Sequence, residues 1–308
     1  MNNIIEARGL TKSYGSSRGI VDLQFAIPEG EVFGFLGPNG AGKTTTLRVL
    51  MGFLRATSGT VTIAGLDCWQ QSTEIKHFVG YLPGEFSFDP SLTGAEIITY
   101  LGNLRRNIDQ AYVSKLVERF GLDLSKRFRQ YSRGNKQKVG LVQAFMHSPR
   151  LLILDEPTSG LDPLNQQEFY TLIDEVRATG QTVFFSSHIL PEVERICDHV
   201  GIIREGMLIR VGEVASLKNL QHHKVELFFA TPANPAWFSA LLGVLAATQG
   251  KSANDIILTV QGSLQAVIQL AAQHGVVNIA THETTLEEVF LTYYKPELLS
   301  TTHTALEQ

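Results

Sequence analysis

One eight-residue segment constrains this chain more than any other, because it fits the pattern G-x-x-x-x-G-K-[ST] at every fixed position. The segment consists of Gly37, Pro38, Asn39, Gly40, Ala41, Gly42, Lys43 and Thr44. The apolar run 32–36 before it predicts a short buried strand, and the apolar spacing over 45–53 predicts a helix after it. A glycine-rich turn between a strand and a helix can direct backbone N–H groups toward a polyphosphate. The segment therefore predicts a phosphate-binding loop in a nucleoside-triphosphate-binding protein.

The last residues of the loop have the side chains that a bound triphosphate requires. We expect Lys43 to reach the β- and γ-phosphates and the Thr44 hydroxyl to take a place on Mg²⁺. Thr45 follows in the first helical turn and is predicted to bind the nucleotide with them.

The composition and charge limit the class of protein. The chain has 308 residues, of which 44% are hydrophobic and 18% charged, which is typical of a globular protein with more than one domain. No apolar run reaches the ~18 residues that cross a bilayer, and residues 1–6 lack the features of a signal peptide, so we expect a cytosolic protein. Cys68 and Cys197 have no paired spacing, which fits a reducing compartment. The net charge of -4 argues against a nucleic-acid partner.

The order of predicted elements indicates an α/β domain followed by a smaller α+β domain. In the first domain, 1–215, a helical insert covers about 90–145, and strands and helices alternate after it. This alternation favours a mainly parallel sheet with helices on both faces. The second domain, 216–308, has the order β-α-β-β-α-β of a split βαβ arrangement. One of its helices is predicted over 235–242, and a last helix over 286–293.

A second motif narrows the choice among nucleotide-binding proteins. The apolar run 151–154 predicts a buried strand that ends on Asp155 and Glu156. We expect Asp155 to hold Mg²⁺, directly or through water, and Glu156 to polarise the attacking water as a general base. A GTPase is not favoured, because the nearest match to the guanine-reading pattern N-K-x-D, at 135–138, lacks the acid.

These motifs resemble those of the nucleotide-binding subunits of ATP-binding cassette (ABC) transporters, in the same order, between Tyr14 and His188. The resemblance implies an α/β fold, a P-loop ABC ATPase core with antiparallel β and helical subdomains, joined here to the small C-terminal domain. It implies ATP and Mg²⁺ as cofactors. It also implies that Lys43, Glu156 and His188 carry out hydrolysis.

The segment 131–138, Y-S-R-G-N-K-Q-K, resembles the L-S-G-G-Q signature loop of this family, with Tyr, Arg and Asn as departures. Ser132 and Gly134 keep the two positions that would contact the γ-phosphate. Ser132 also has the residue type of a helix N-cap, and the helix after it would present free N–H groups to an anion. We expect Arg133 and Asn135 to change affinity or partner choice without abolishing binding.

Three further positions match the family. The segment 159–162, which ends on Asp162, resembles the loop that crosses between two ATPase subunits. His188 resembles the switch histidine that contacts the γ-phosphate and the catalytic carboxylate. Tyr14 matches the aromatic residue that stacks on adenine.

One position departs from the family in a way that concerns the metal. The family places a glutamine linked to Mg²⁺ where this chain has Gly84, followed by Glu85. Glu85 is a candidate replacement ligand, because hard cations accept carboxylate oxygens. The other interpretation of Glu85 is a solvated loop residue.

The resemblance also implies partners. Motifs from two subunits close over each ATP, so we expect a second ATPase subunit, most simply a second copy of this chain. A separate membrane-embedded permease would hold the protein at the inner face of the cell membrane. The separate C-terminal domain, with the segment T-T-L-E-E-V-F at 284–290, resembles that found on ATPase subunits of bacterial type-two exporters of the drug-resistance kind. Two alternatives stay open, a cytosolic ABC ATPase without transport and a nucleotide-sensing regulator that scarcely hydrolyses ATP.

Overall fold

The computed structural model of the protein describes residues 2–15, 17–105, 108–219 and 223–282. The helix predicted over 286–293 lies outside these described residues. The chain divides into two compact units, and the division falls between Glu213 and Val214.

The first unit contains two sheets and the helices that connect their strands. Its strands are β1 (Asn3–Tyr14), β2 (Ser17–Pro28), β3 (Val32–Leu36), β4 (Ser58–Ile63), β5 (Leu66–Asp67), β6 (Val79–Leu82), β7 (Leu151–Asp155), β8 (Thr182–Ser187), β9 (His199–Arg204) and β10 (Met207–Glu213). Its helices are α1 (Lys43–Leu50), α2 (Ser72–Phe78), α3 (Gly94–Asn103), α4 (Gln110–Arg119), α5 (Arg133–Phe145), α6 (Pro163–Ala178) and α7 (Leu190–Ile196).

The central sheet has the strand order β10-β9-β3-β8-β7-β6. Neighbours from β9 to β6 pair in parallel, and only β10 pairs antiparallel, with β9. Strands β3, β7 and β8 are buried at every residue, as expected for parallel strands covered on both faces. The prediction of a mainly parallel α/β sheet is confirmed.

The register of this sheet brings three strand ends to one place. Leu36 at the end of β3 pairs with Ser187 at the end of β8, and Asp155 at the end of β7 pairs with Ser186. Because the carboxyl ends of parallel strands share one edge, the segments that follow β3, β7 and β8 meet there.

The second sheet of this unit is antiparallel, with the order β2-β1-β4-β5. Phe25 of this sheet packs against Phe33 and Phe184 of the central sheet, with ring centroids 6.2 Å apart in both pairs. These rings lie in one apolar core cluster of the unit, which packs the antiparallel sheet against the central sheet.

The predicted helical insert consists of α3, α4 and α5, and each helix begins at a capping side chain. Thr93 and Glu96 form a capping box at α3, Asp109 caps α4, and Ser132 caps α5. The sequence prediction of Ser132 as an N-cap is therefore confirmed.

The elements of the second unit are α8 (Val214–Asn219), β11 (His223–Phe229), β12 (Val244–Gln249), β13 (Asp255–Val260), α9 (Gln265–Gln273) and β14 (Val276–His282). Its strands form an antiparallel sheet with the order β12-β13-β11-β14. This order, with a helix between β13 and β14, is typical of a split βαβ arrangement. The core of the unit includes Leu227, Phe238 and Leu258, each fully buried.

The helix predicted over 235–242 is wrong. The structure has a single 3₁₀ turn, Pro235–Trp237, followed by further tight turns. The N–H of Phe238 donates to Pro235 O, and that of Leu241 donates to Phe238 O, so the hydrogen bonds span three residues instead of four. These turns place Phe238 in the core, and burial of this ring overrides the local helical pattern.

Candidate nucleotide-binding site

The segment that fits G-x-x-x-x-G-K-[ST] connects β3 to α1, as predicted, and borders a cavity. Gly42 is the N-cap of α1 with φ 112°, a conformation that favours glycine, and a Cβ there would lie 2.8 Å from Ile20 Cγ2. The cavity has a volume of ≈ 390 Å³. It is lined by Gly19, Pro38, Asn39, Gly40, Gly42, Lys43, Thr44, Thr45 and Glu156.

Lys43 is the buried cation of this cavity, with 5% of its surface exposed. Its Nζ donates hydrogen bonds to Gly37 O at 2.7 Å and Pro38 O at 3.2 Å. The same nitrogen lies 3.5 Å from Glu156 Oε1. Burial lowers the pKa of the Lys43 ammonium, and the nearby Glu156 carboxylate opposes that shift. The ammonium is thus held at the cavity wall by the loop that begins α1.

Asp155 is buried beside the loop and uses both carboxylate oxygens. Oδ2 accepts a hydrogen bond from the Thr44 hydroxyl at 2.8 Å, and Oδ1 accepts one from the Ser186 hydroxyl at 2.5 Å. Sequence reasoning missed Ser186. The parallel register of β7 and β8 places it opposite Asp155, and no local pattern marks that pairing.

Glu156 turns away from Asp155 through an unusual backbone conformation, with φ 47°. Such a conformation is costly for a residue with a Cβ and is concentrated at functional sites. The N–H of Glu156 lies 3.2 Å from both Ser186 O and Ser186 Oγ. The Gln137 amide donates to Glu156 O at 3.2 Å and Pro157 O at 2.9 Å. These contacts hold the turn at Glu156 and Pro157, which we call the acidic turn. Sequence reasoning missed Gln137 as well.

The side chain of Glu156 is positioned between a lysine and a histidine. Its Oε1 lies 3.2 Å from His188 Nδ1 and 3.5 Å from Lys43 Nζ. His188 follows β8 directly, and Glu156 follows β7, so the adjacent strand ends bring these two residues together. The arrangement holds a carboxylate at the cavity with a basic group on each side.

The segment that resembles a signature loop lies at the start of α5. The Ser132 hydroxyl accepts a hydrogen bond from Asn135 N at 3.2 Å. Gly134 packs so closely that a Cβ there would lie 2.4 Å from Gly160 O, and the Arg133 guanidinium donates to Ser159 Oγ at 2.8 Å. Ser132 and Gly134 are not among the described residues that line the cavity of their own chain.

Asp162 and Tyr14 lie near the ends of elements and also do not line the cavity. Asp162 caps α6, and its Oδ1 accepts a hydrogen bond from Asn165 N at 3.0 Å. This bond lowers the pKa of the Asp162 carboxyl. Tyr14 ends β1, is 42% exposed, and has Lys12 Nζ 5.4 Å from its ring centroid.

The position of the absent glutamine lies directly against Asp155. A Cβ at Gly84 would be 3.1 Å from Asp155 Oδ2. Glu85 is exposed, and it is not one of the described residues lining the cavity. A side chain at position 84 would therefore begin beside the Asp155 carboxylate.

Within the described residues, none of the helices has the length and apolar character that crossing a bilayer requires. Among the same residues, no group of three or more His, Cys, Asp and Glu side chains could hold a metal ion. A divalent ion at Thr44 and Asp155 would therefore need ligands from another molecule, such as phosphate oxygens and water.

Comparison with known proteins identifies the family. A family profile described as ABC transporter matches residues 20–159. The chain is 39% identical over 212 residues to the bacitracin transport ATP-binding protein BcrA of Bacillus licheniformis, covering 68% of this chain and 69% of that protein. It is 37% identical to the probable multidrug ABC transporter ATP-binding protein YbhF of Escherichia coli (strain K12), covering 70% of this chain and 38% of that protein.

Solved structures agree with this assignment. An ATP-binding subunit of an ABC transporter matches with a TM-score of 0.65 and 29% identity, covering 70% of this chain and 92% of that one. The ATP-binding cassette MJ0796, a dimer in a post-hydrolysis state with ADP and Pi, matches with a TM-score of 0.62 and 20% identity, covering 68% of this chain and 98% of that one. The second likeness concerns the fold alone. The chain belongs to the ABC transporter family, as one of its ATP-binding subunits.

Proposed function

We propose that this chain hydrolyses ATP as one half of a homodimer and thereby drives export through a separate membrane permease. The observation that carries the proposal is the position of the Glu156 carboxylate at the cavity, 3.2 Å from His188 and 3.5 Å from Lys43. A phosphate loop alone is common to many nucleotide-binding proteins, whereas this carboxylate adds a general base.

The residues at the cavity fit a triphosphate with Mg²⁺. Lys43 and the N–H groups at the start of α1 supply positive charge for the β- and γ-phosphates. Thr44 and Asp155 are adjacent oxygen donors, joined by a hydrogen bond of 2.8 Å, and oxygen is the ligand that Mg²⁺ prefers. When bound there, Mg²⁺ would neutralise phosphate charge. Tyr14 would contact the adenine from the end of β1.

Glu156 accepts the proton of the water that attacks the γ-phosphate. His188 Nδ1, at 3.2 Å from Glu156 Oε1, orients the carboxylate. A positioned base contributes roughly 10²-fold to 10⁴-fold to such a rate. Hydrolysis splits the γ-phosphate from ADP, so contacts that depend on the γ-phosphate are lost.

A second copy of the chain completes the site. Ser132 and Gly134 do not line their own cavity, yet Ser132 caps a 13-residue helix whose N-terminus suits an anion. We assign both residues, with Asp162, to the nucleotide of the partner subunit. MJ0796, which shares the fold, is a dimer in its structure with ADP and Pi.

The coupling to export is taken from relatives. BcrA is named for bacitracin transport and YbhF for probable multidrug transport, and they match 68% and 70% of this chain. A separate permease would recruit the protein to the inner face of the membrane. On the names of these relatives, the proposed substrate is a drug.

The test is ATP turnover and ATP binding by the purified full chain. We expect Lys43→Ala to weaken ATP binding about 10-fold to 100-fold, because it removes a charge-assisted contact. We expect Glu156→Gln to bind ATP normally and to turn over roughly 100-fold more slowly. Lys115→Ala and Glu74→Gln, both at exposed positions, are the matched controls. Equal turnover in Glu156→Gln and the wild type would contradict the proposal.

A further inference from the structure

A buried carboxylate lies outside the chemistry proposed above, four residues after His188. Glu192 is in the first turn of α7 and is 4% exposed. Its Oε1 accepts hydrogen bonds from the hydroxyl of Thr158 and, at 3.3 Å, from that of Tyr170. Its Oε2 accepts a hydrogen bond from the Ser187 hydroxyl at 2.8 Å. Three hydroxyls from three parts of the fold thus converge on one carboxylate.

Two of these hydroxyls belong to segments that carry proposed site residues. Ser187 directly precedes His188, and its oxygen also accepts a hydrogen bond from Ile189 N at 2.9 Å; we call 187–189 the histidine segment. Thr158 begins the residues 158–162, which we call the crossing segment. Glu192 contacts the crossing segment with one carboxylate oxygen and the histidine segment with the other.

The hydrogen bonds of Glu192 connect the positions of the two segments energetically. A carboxylate removed from water is costly unless donors satisfy it, and hydrogen bonds to a charged acceptor are roughly twice as strong as neutral ones. Burial and the Glu192 charge raise the pKa of the Tyr170 hydroxyl, so this hydroxyl keeps its proton and remains a donor. Displacement of either segment removes a donor, so the network is most stable when both segments are in place.

We propose that Glu192 is a positioning residue that couples the histidine segment to the crossing segment. The inference rests on the proposed function, because it gives a role in ATP hydrolysis to a residue that contacts no reacting atom. A change at His188 on loss of the γ-phosphate passes through Ser187 and Glu192 to Thr158. The crossing segment, and with it the contact to the second subunit, therefore responds to the state of the nucleotide.

A first experiment tests the coupling without any change at Glu192 and without ATP. Hydrogen exchange of the full chain is measured for the wild type, Ser187→Ala and Thr158→Val. Ser187→Ala should speed exchange in the crossing segment, where Leu161 N donates to Thr158 O at 3.0 Å. Thr158→Val should speed exchange at Ile189. We expect increases on the order of tenfold in each distant segment.

The matched control is Thr182→Val, in the same strand as Ser187. Thr182 is fully buried, and its hydroxyl oxygen accepts a hydrogen bond from Gly30 N at 2.8 Å, away from both segments. We expect this variant to leave exchange in both segments unchanged. If Ser187→Ala and Thr158→Val each loosen only their own segment, Glu192 does not couple the two and the inference is overturned.

A second experiment measures steady-state ATP turnover for Glu192→Gln, which keeps the volume of the side chain and one carbonyl acceptor. We expect kcat to fall about tenfold with KM for ATP within about twofold, because the nucleotide contacts are intact. If the wild type is active and kcat of Glu192→Gln is unchanged, the inference about Glu192 is overturned while the proposed function stands. A wild type without turnover instead contradicts the proposed function, while the exchange experiment still decides the coupling.

Discussion

His188 Nδ1 lies 3.2 Å from Glu156 Oε1, the carboxylate oxygen that also lies 3.5 Å from the Lys43 ammonium. Three segments that are distant in the sequence therefore meet at a single oxygen atom. The parallel order β3-β8-β7 makes this possible, since the loop after each strand opens on the same edge of the sheet.

Loss of the histidine should affect the rate more than ATP binding. We expect His188→Ala to lower kcat by about tenfold or more, because the Glu156 carboxylate loses the group that orients it. ATP affinity should change less than about threefold, since the phosphate loop is untouched. The control is His77→Ala, at an exposed position in α2. A loss of ATP affinity with kcat unchanged would show that His188 contributes to ATP binding and not to the rate of hydrolysis.

Ser186 should matter to both stability and turnover. Ser186→Ala removes the hydroxyl that donates to Asp155 Oδ1, so this buried carboxylate oxygen loses a hydrogen bond. We expect the free energy of unfolding in urea to fall by about 1–3 kcal/mol and ATP turnover to fall as well. Thr182→Val removes a buried hydroxyl from the other end of β8 and should lower stability only. Wild-type turnover in Ser186→Ala would contradict a role of Ser186 in ATP hydrolysis.

The Mg²⁺ requirement should reveal whether Glu85 replaces the absent glutamine. If it does, Glu85→Gln raises the Mg²⁺ concentration for half-maximal turnover, because a carboxylate binds Mg²⁺ better than an amide. Gly84→Gln should lower that concentration, since a Cβ added at position 84 would lie 3.1 Å from Asp155 Oδ2. Glu74→Gln is the control for the loss of charge. An identical Mg²⁺ profile for Glu85→Gln and the wild type would make Glu85 a solvated loop residue.

His147 should make the fold sensitive to mild acid. Burial, with a smaller contribution from the Arg105 charge, lowers the pKa of His147 from 6.5 to about 4. The folded protein thus binds fewer protons than the unfolded chain between these values, and stability falls as the pH decreases through this range. We expect the Tm of the wild type to fall more than that of His147→Gln between pH 7.5 and 5.0. Equal slopes would contradict a buried neutral His147, and His77→Gln should keep the wild-type slope.

Much of the fold was predictable because its signals are local. The glycine pattern before Lys43 indicates the loop, the apolar run before Asp155 indicates the buried strand, and Ser132 has the residue type of a cap. Each of these features depends on a few consecutive residues, so the sequence contains them directly.

The rest depends on pairing between distant segments. Ser186 reaches Asp155 only through the register of β7 and β8, and Gln137 reaches Glu156 only because α5 packs beside the acidic turn. The helix wrongly predicted over 235–242 fails for a related reason, since burial of Phe238 determines the turns. Neither register nor packing partner can be obtained from one local pattern.

The most direct test of the central claim is the solution mass of the Glu156→Gln variant by light scattering, with and without ATP. We predict a monomer without ATP and a dimer with ATP, because Ser132 and Gly134 of one chain would close over the ATP held by the other. The double variant Lys43→Ala with Glu156→Gln should stay a monomer under both conditions. A Glu156→Gln protein that binds ATP and remains a monomer would contradict a site completed by a second copy of this chain.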